Sequence, residues 1–270
     1  MKFLHSFILA AAVVFTDCTS SPQLTSYVDP KIGTGDHGHV FVGANVPFGM
    51  VQVGPTSIPQ EWDWCSGYHA SESTLIGFSH THLSGTGIGD LFDVTIMPVV
   101  GEVTYSRGDG VNPESGMWSL ADRSQEIARP GYYSVPVMRY GVKAEMTATS
   151  RVGYHRYTFP ASNESALVID LQNGGCWDRV TDSKMEVVGD DRIEGYRYSS
   201  GWANDQKVYF VAEFSKPFES LEVLPESRYA RANFSTKEGE QLMRKVALSP
   251  VSVEGAKANM EAELKGWNFE

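Results

Sequence analysis

Between about residue 130 and residue 224 the chain alternates apolar and polar side chains in short runs closed by turn-forming residues, and nothing else constrains its fold as much. Successive side chains of a strand point to opposite faces, so a period of two marks half-buried antiparallel strands. Tyr133 to Tyr140 and Val142 to Thr149 flank Gly141 as a hairpin, and Val152 to Phe159 and Ala166 to Leu171 follow. Lys184 to Val188 and Arg192 to Tyr198 are separated by the turn-prone triplet Gly189-Asp190-Asp191, and Lys207 to Phe214 and Leu221 to Leu224 continue the pattern. Many short strands with few helical periods predict an all-β fold, an antiparallel sandwich or barrel. Near the end Val253, Ala256, Met260 and Leu264 fall at helical spacing between Ser252, a plausible N-cap, and Gly266, a plausible C′ stop. Trp267-Asn268-Phe269-Glu270 then leave two aromatic residues uncovered by anything later in the chain, an ending that reads as an interruption.

Lys and Arg total 22 against 33 Asp and Glu, a net charge of −11, with no basic cluster. That balance excludes nucleic acid and anionic membrane surfaces as partners. The apolar stretch Phe7 to Phe15 is too short to span a bilayer and has the size of a signal-peptide core, so residues 1–18 read as an export signal. Cys18 precedes a polar linker (residues 19–26) and resembles the lipidated Cys of a bacterial lipoprotein, although Phe15 and Asp17 depart from the usual signal. The expected location is the periplasm or cell surface of a Gram-negative bacterium, with a lipid anchor as the only membrane contact. Cys65 and Cys176 are then too few for a disulfide framework or a Cys-rich zinc site; one bridge or two buried thiols both remain open.

Residues 27–100 differ in kind. They hold one basic residue, Lys31, against the acids Asp29, Asp36, Glu61, Asp63, Glu72, Asp90 and Asp93, and five of the seven histidines. Glycine is frequent here too, as expected of loops that build a site on a rigid scaffold. Gly33-Thr34-Gly35-Asp36-His37-Gly38 matches a dinucleotide-binding fingerprint by letter, but Pro30 and Pro47 exclude the strand and helix it requires. Gly77-Phe78-Ser79-His80-Thr81 lacks the final glycine of a nucleophile elbow, which excludes a serine hydrolase. His37-Gly38-His39 and His80-Thr81-His82 each place two imidazoles on one side of an extended segment. They could ligate a transition metal, as in a metal hydrolase, or hydrogen-bond loop backbone or a polar ligand; no Glu-x-x-His helix or spaced Cys supports a metal, and none is assigned. Trp62-Asp63-Trp64 brackets a carboxylate with two aromatic faces. Such faces stack on sugar rings while the carboxylate accepts from hydroxyls.

These residues resemble a known family. Val28-Asp29-Pro30-Lys31-Ile32-Gly33-Thr34-Gly35, Pro47-Phe48-Gly49-Met50-Val51-Gln52, Trp62-Asp63-Trp64-Cys65-Ser66-Gly67-Tyr68-His69 and the run from Ile76 to Gly87 are similar, in order and spacing, to the N-terminal domain of glycoside hydrolase family 92. Pro130-Gly131-Tyr132-Tyr133 and Ser200-Gly201-Trp202-Ala203 extend the resemblance toward the closing helix. It implies a β-sandwich of the galactose-mutarotase-like supersandwich type over residues 27–251 and a linker helix (residues 252–270) leading to a missing (α/α)6 barrel. It also implies a calcium-dependent, inverting exo-α-mannosidase acting on mannose-containing glycans. The catalytic carboxylates and most calcium ligands are expected on the barrel, so this chain holds no catalytic residue and is inert alone. Phe48, Gly49, Asp63, Trp64, Cys65, His80 and His82 are expected to line the wall that receives the sugar. The alternative is a stand-alone exported carbohydrate-binding module.

Overall fold

Sixteen strands and one α-helix follow one another through residues 23–270, the part of the chain that the computed structural model describes. The leader segment and Cys18 lie outside the described residues. In chain order the strands are β1 Gly54–Thr56, β2 Thr74–Leu75, β3 Gly77–Ser79, β4 Thr95–Val100, β5 Ser119–Leu120, β6 Ile127–Arg129, β7 Tyr132–Val137 and β8 Val142–Ala148. They continue as β9 Val152–Phe159, β10 Ser162–Asp170, β11 Arg179–Val188, β12 Arg192–Ser200, β13 Gln206–Phe214, β14 Ser220–Val223, β15 Tyr229–Thr236 and β16 Glu240–Ser249, before helix α1, Val253–Glu263.

A six-stranded sheet in the order β1-β3-β4-β10-β15-β14 faces an eight-stranded sheet in the order β11-β12-β13-β16-β9-β8-β7-β6, and every pairing is antiparallel. One apolar core joins them. Ile96, Leu167, Ile169 and Phe234 from the smaller sheet pack with Tyr133, Tyr157, Phe210 and Val246 from the larger. This is the expected antiparallel sandwich.

Most of the predicted strands stand where the alternation places them, Val152–Phe159 to the residue. The first hairpin arm ends earlier than predicted. Its strand stops at Val137, and Met138–Tyr140 form a 3-10 turn that delivers the chain to Gly141, whose φ of 61° suits a residue without Cβ.

Helix α1 lies on the outer face of the larger sheet, where Ala256 and Met260 close over Val152, Val211 and Ala247. Ser252 caps it, its hydroxyl accepting from the Gly255 amide at 3.0 Å. Gly266 is not its stop: the helix ends at Glu263, and Leu264 leaves the helical conformation while its amide still donates to the Met260 carbonyl. The last aromatic residues are also not left bare. Phe269 lies 4.2 Å beneath the Arg156 guanidinium and Trp267 4.2 Å beneath the Lys245 ammonium, both beside Tyr154. Cation–π contact and the Arg156–Glu270 pair at 2.7 Å hold this segment to the sheet.

Candidate sugar-binding rim

The loops between residues 27 and 95 are fixed by turned backbone as much as by ladders. Asp36, His39, Phe48, Leu91, Phe92 and Val94 all adopt left-handed φ angles, uncommon for residues with a Cβ and an outlier for β-branched Val94. Surrounding contacts hold these conformations. The His39 carbonyl accepts from Ser66 Oγ at 2.5 Å and from the Gly85 amide at 2.7 Å, which joins three loops at one atom.

That turn aims both imidazoles of His37-Gly38-His39 at the same group. His37 Nδ1 lies 2.7 Å and His39 Nε2 3.1 Å from Asp63 Oδ1, and the Trp62 indole packs on both rings, 5.6 and 4.2 Å away. The indole N–H donates to the Gly87 carbonyl at 3.0 Å, so Trp62 is fixed while its face stays half exposed. The hydrogen bond from His37 holds the Asp63 carboxyl below its usual range, and the same bond raises the His37 imidazole. Asp63 is therefore an ionised acceptor. It has no character of a general acid.

Trp64, next in the same 3-10 turn, stacks on His69 at 4.3 Å. Its indole N–H is buried without an acceptor among the described residues. Phe48 is fully exposed on a left-handed residue, and Gln52 Nε2 anchors its turn by donating to the Gly49 carbonyl at 2.7 Å. Two further exposed tryptophans stand on neighbouring loops. Trp177 follows Cys176, which packs against Gly89, and Trp202 is held by its amide donating to Asp90 at 3.0 Å.

His80, His82 and Cys65 are all buried in this domain rather than exposed on the loop surface. His80 Nδ1 donates to the Val94 carbonyl at 2.7 Å, which leaves its Nε2 to accept from His155 Nε2 at 2.8 Å, and His155 Nδ1 then accepts from the Tyr157 hydroxyl at 2.9 Å. One tautomer of each ring satisfies the chain, and both rings are neutral. Burial pushes His80 down to about 3 and His82 to about 4. Gly153 makes room for the pair, since a Cβ there would stand 2.6 Å from the His80 ring. His82 Nδ1 donates to the Gln52 carbonyl at 2.8 Å, so it positions the residue that anchors the Phe48 turn. The Cys65 thiol donates to the Thr86 carbonyl at 3.4 Å, and Cys65 and Cys176 are both free thiols.

Sequence reasoning missed the group that ties the rim to the sandwich. Arg197, fully buried on β12, binds Asp93 at 2.7 Å, Asp178 at hydrogen-bond distance and the Leu171 carbonyl at 3.0 Å. Burial opposes its charge, but the two carboxylates outweigh burial and raise it. Asp93 also accepts from Thr81 and Gln206. No local spacing signals a network drawn from four separate segments.

Among the described residues one set of three potential ligand side chains comes together, His37, His39 and Asp63. Two nitrogens and a carboxylate do not fit calcium, which takes six to eight oxygen ligands. No calcium-dependent step therefore follows from these residues.

The family model of the glycosyl hydrolase family 92 N-terminal domain matches residues 27–249, and the chain belongs to that family. An α-mannosidase of the family from Bacteroides thetaiotaomicron, solved with and without mannoimidazole, is 37% identical with a TM-score of 0.87, over 91% of this chain and about 35% of that one. An inverting mannosidase of the same family and organism is 26% identical with a TM-score of 0.74, over 91% of this chain and 34% of its own. An uncharacterized secreted glycosidase of Arthroderma benhamiae is 31% identical over 162 residues, 54% of this chain and 19% of that protein. The chain thus spans about a third of the solved relatives and less of the curated one.

Proposed function

We propose that this chain is the β-sandwich portion of an inverting exo-α-mannosidase and supplies one wall of the pocket that binds the terminal mannose of a glycan. The observation that carries the reading is the rim itself: an ionised Asp63 held between two imidazoles, with the half-exposed Trp62 packed beside it. Asp63 accepts hydrogen bonds from sugar hydroxyls, and an indole face packs on the ring. The family resemblance assigns Phe48, exposed on its turn, and Gly49 to the same wall.

Inversion needs a carboxylic acid to protonate the leaving oxygen and a second carboxylate to activate water. Asp63 is committed to the imidazoles, Asp90 to the amides of Trp202 and Ala203, and Asp93 to Arg197. As the family resemblance implies, both catalytic groups and the calcium site are assigned to a barrel domain outside this chain. An exported location accords with the leader sequence and with the secreted glycosidase among the relatives. The test is hydrolysis of an aryl α-mannoside by the purified 270-residue chain, which should show no turnover above background. Turnover by this chain alone contradicts the reading, and saturable mannose binding without turnover favours an autonomous binding module.

A further inference from the structure

We infer that His37, His39 and Asp63 form a binding site for a d-block divalent cation such as Zn2+, at the solvent edge of the rim. The three ligand atoms all lie within 4.8 Å of one another. Tetrahedral zinc, with bonds of about 2.0–2.1 Å, separates its ligands by roughly 3.3 Å. The present separations of 2.7 and 3.1 Å from Asp63 Oδ1 are those of a proton shared in place of an ion and need to open by a few tenths of an ångström, while the two imidazole nitrogens, within 4.8 Å of each other, close toward that spacing by rotation of the exposed His37 side chain.

The donor set of two imidazoles and one carboxylate selects zinc, copper or nickel over calcium or magnesium. The approach is open on one side, where the His37 side chain is 75% exposed, against 6% for His39 and 19% for Asp63. Preorganisation comes from the backbone. Left-handed φ angles at Asp36 and His39 turn two imidazoles, two residues apart, onto one oxygen, and the His39 carbonyl is locked by Ser66 and Gly85. On binding, each imidazole presents the nitrogen that now faces Asp63 as a lone pair and carries its proton on the other ring nitrogen. Three protein ligands leave one coordination position for water or an exogenous oxygen.

Zinc titrated calorimetrically into the chelator-treated chain should bind once per chain, with a Kd below about 100 μM. Cu2+ should quench indole emission, because Trp62 lies 4.2 Å from the His39 ring, and Trp62→Phe should lose that quenching while still binding zinc. His37→Ala, at an exposed side chain that the fold does not need, should weaken zinc at least about tenfold, the scale on which even supporting residues act. Absence of saturable binding in that range, or a smaller loss in His37→Ala, overturns the site. No glycan enters the measurement, so its failure leaves the mannose reading untouched.

Discussion

Two His-x-His pairs of identical spacing lie 43 positions apart in the same loop-rich segment and meet opposite fates. His37 and His39 stand at the solvent edge, turned onto a shared carboxylate; His80 and His82 are buried, neutral and bonded to backbone carbonyls and a third histidine. The acids divide the same way. Asp63 is an ionised acceptor at the rim, whereas Asp93 is buried in the Arg197 network that fastens the rim to the sandwich. Residue type and spacing do not separate a binding group from a structural one; what separates them is whether the surrounding chain has already used every donor and acceptor.

Mutation can break this contrast directly. The largest effect is expected from Asp93→Ala, which strips a buried guanidinium of one of its two carboxylates and should cost about 3–5 kcal/mol in denaturant unfolding. His80→Ala should cost about 3 kcal/mol, from a cavity and an unpaired His155 and Val94 carbonyl, read by the same assay.

Acid sharpens the contrast more gradually. His80 and His82 have folded-state values near 3 and 4, below the unfolded value near 6.5, so their contribution is fully present above pH 6.5 and is lost as pH falls toward the folded values. The unfolded chain takes up protons that the folded chain refuses. Each such histidine should lower stability by about 1.4 kcal/mol per pH unit in that window, measurable as a falling midpoint between pH 6.5 and 4.5. At the other extreme, His37→Ala should shift Tm by less than about 1 °C.

How much of this was legible in the sequence follows from which faces are covered. Val152–Phe159 is read to the residue, although Val152 through His155 are all buried, because Arg156 and Thr158 still alternate with Tyr157 and Phe159. Glu240–Ser249 was not anticipated, because the buried run from Arg244 through Ser249 erases the period of two where both faces are covered. Thr95–Val100 is hidden for the same reason. In the rim, Trp62-Asp63-Trp64 stood out by composition. Its partnership with His37 and His39 spans 24 to 26 positions and left no local trace. The spacing of His80 and His82 does not reveal that packing and backbone carbonyls already enclose both rings.

The rim's role in sugar recognition is tested most directly by Asp63→Ala in a longer polypeptide that carries this domain together with a family barrel domain, assayed on an α-mannoside. Loss of the hydroxyl acceptor should lower kcat/KM by at least about tenfold, on the scale of a lost charged hydrogen bond, with Tm essentially unchanged. A folded variant with the kinetics of the unmodified enzyme would remove Asp63 from the pocket and return the rim to the scaffold.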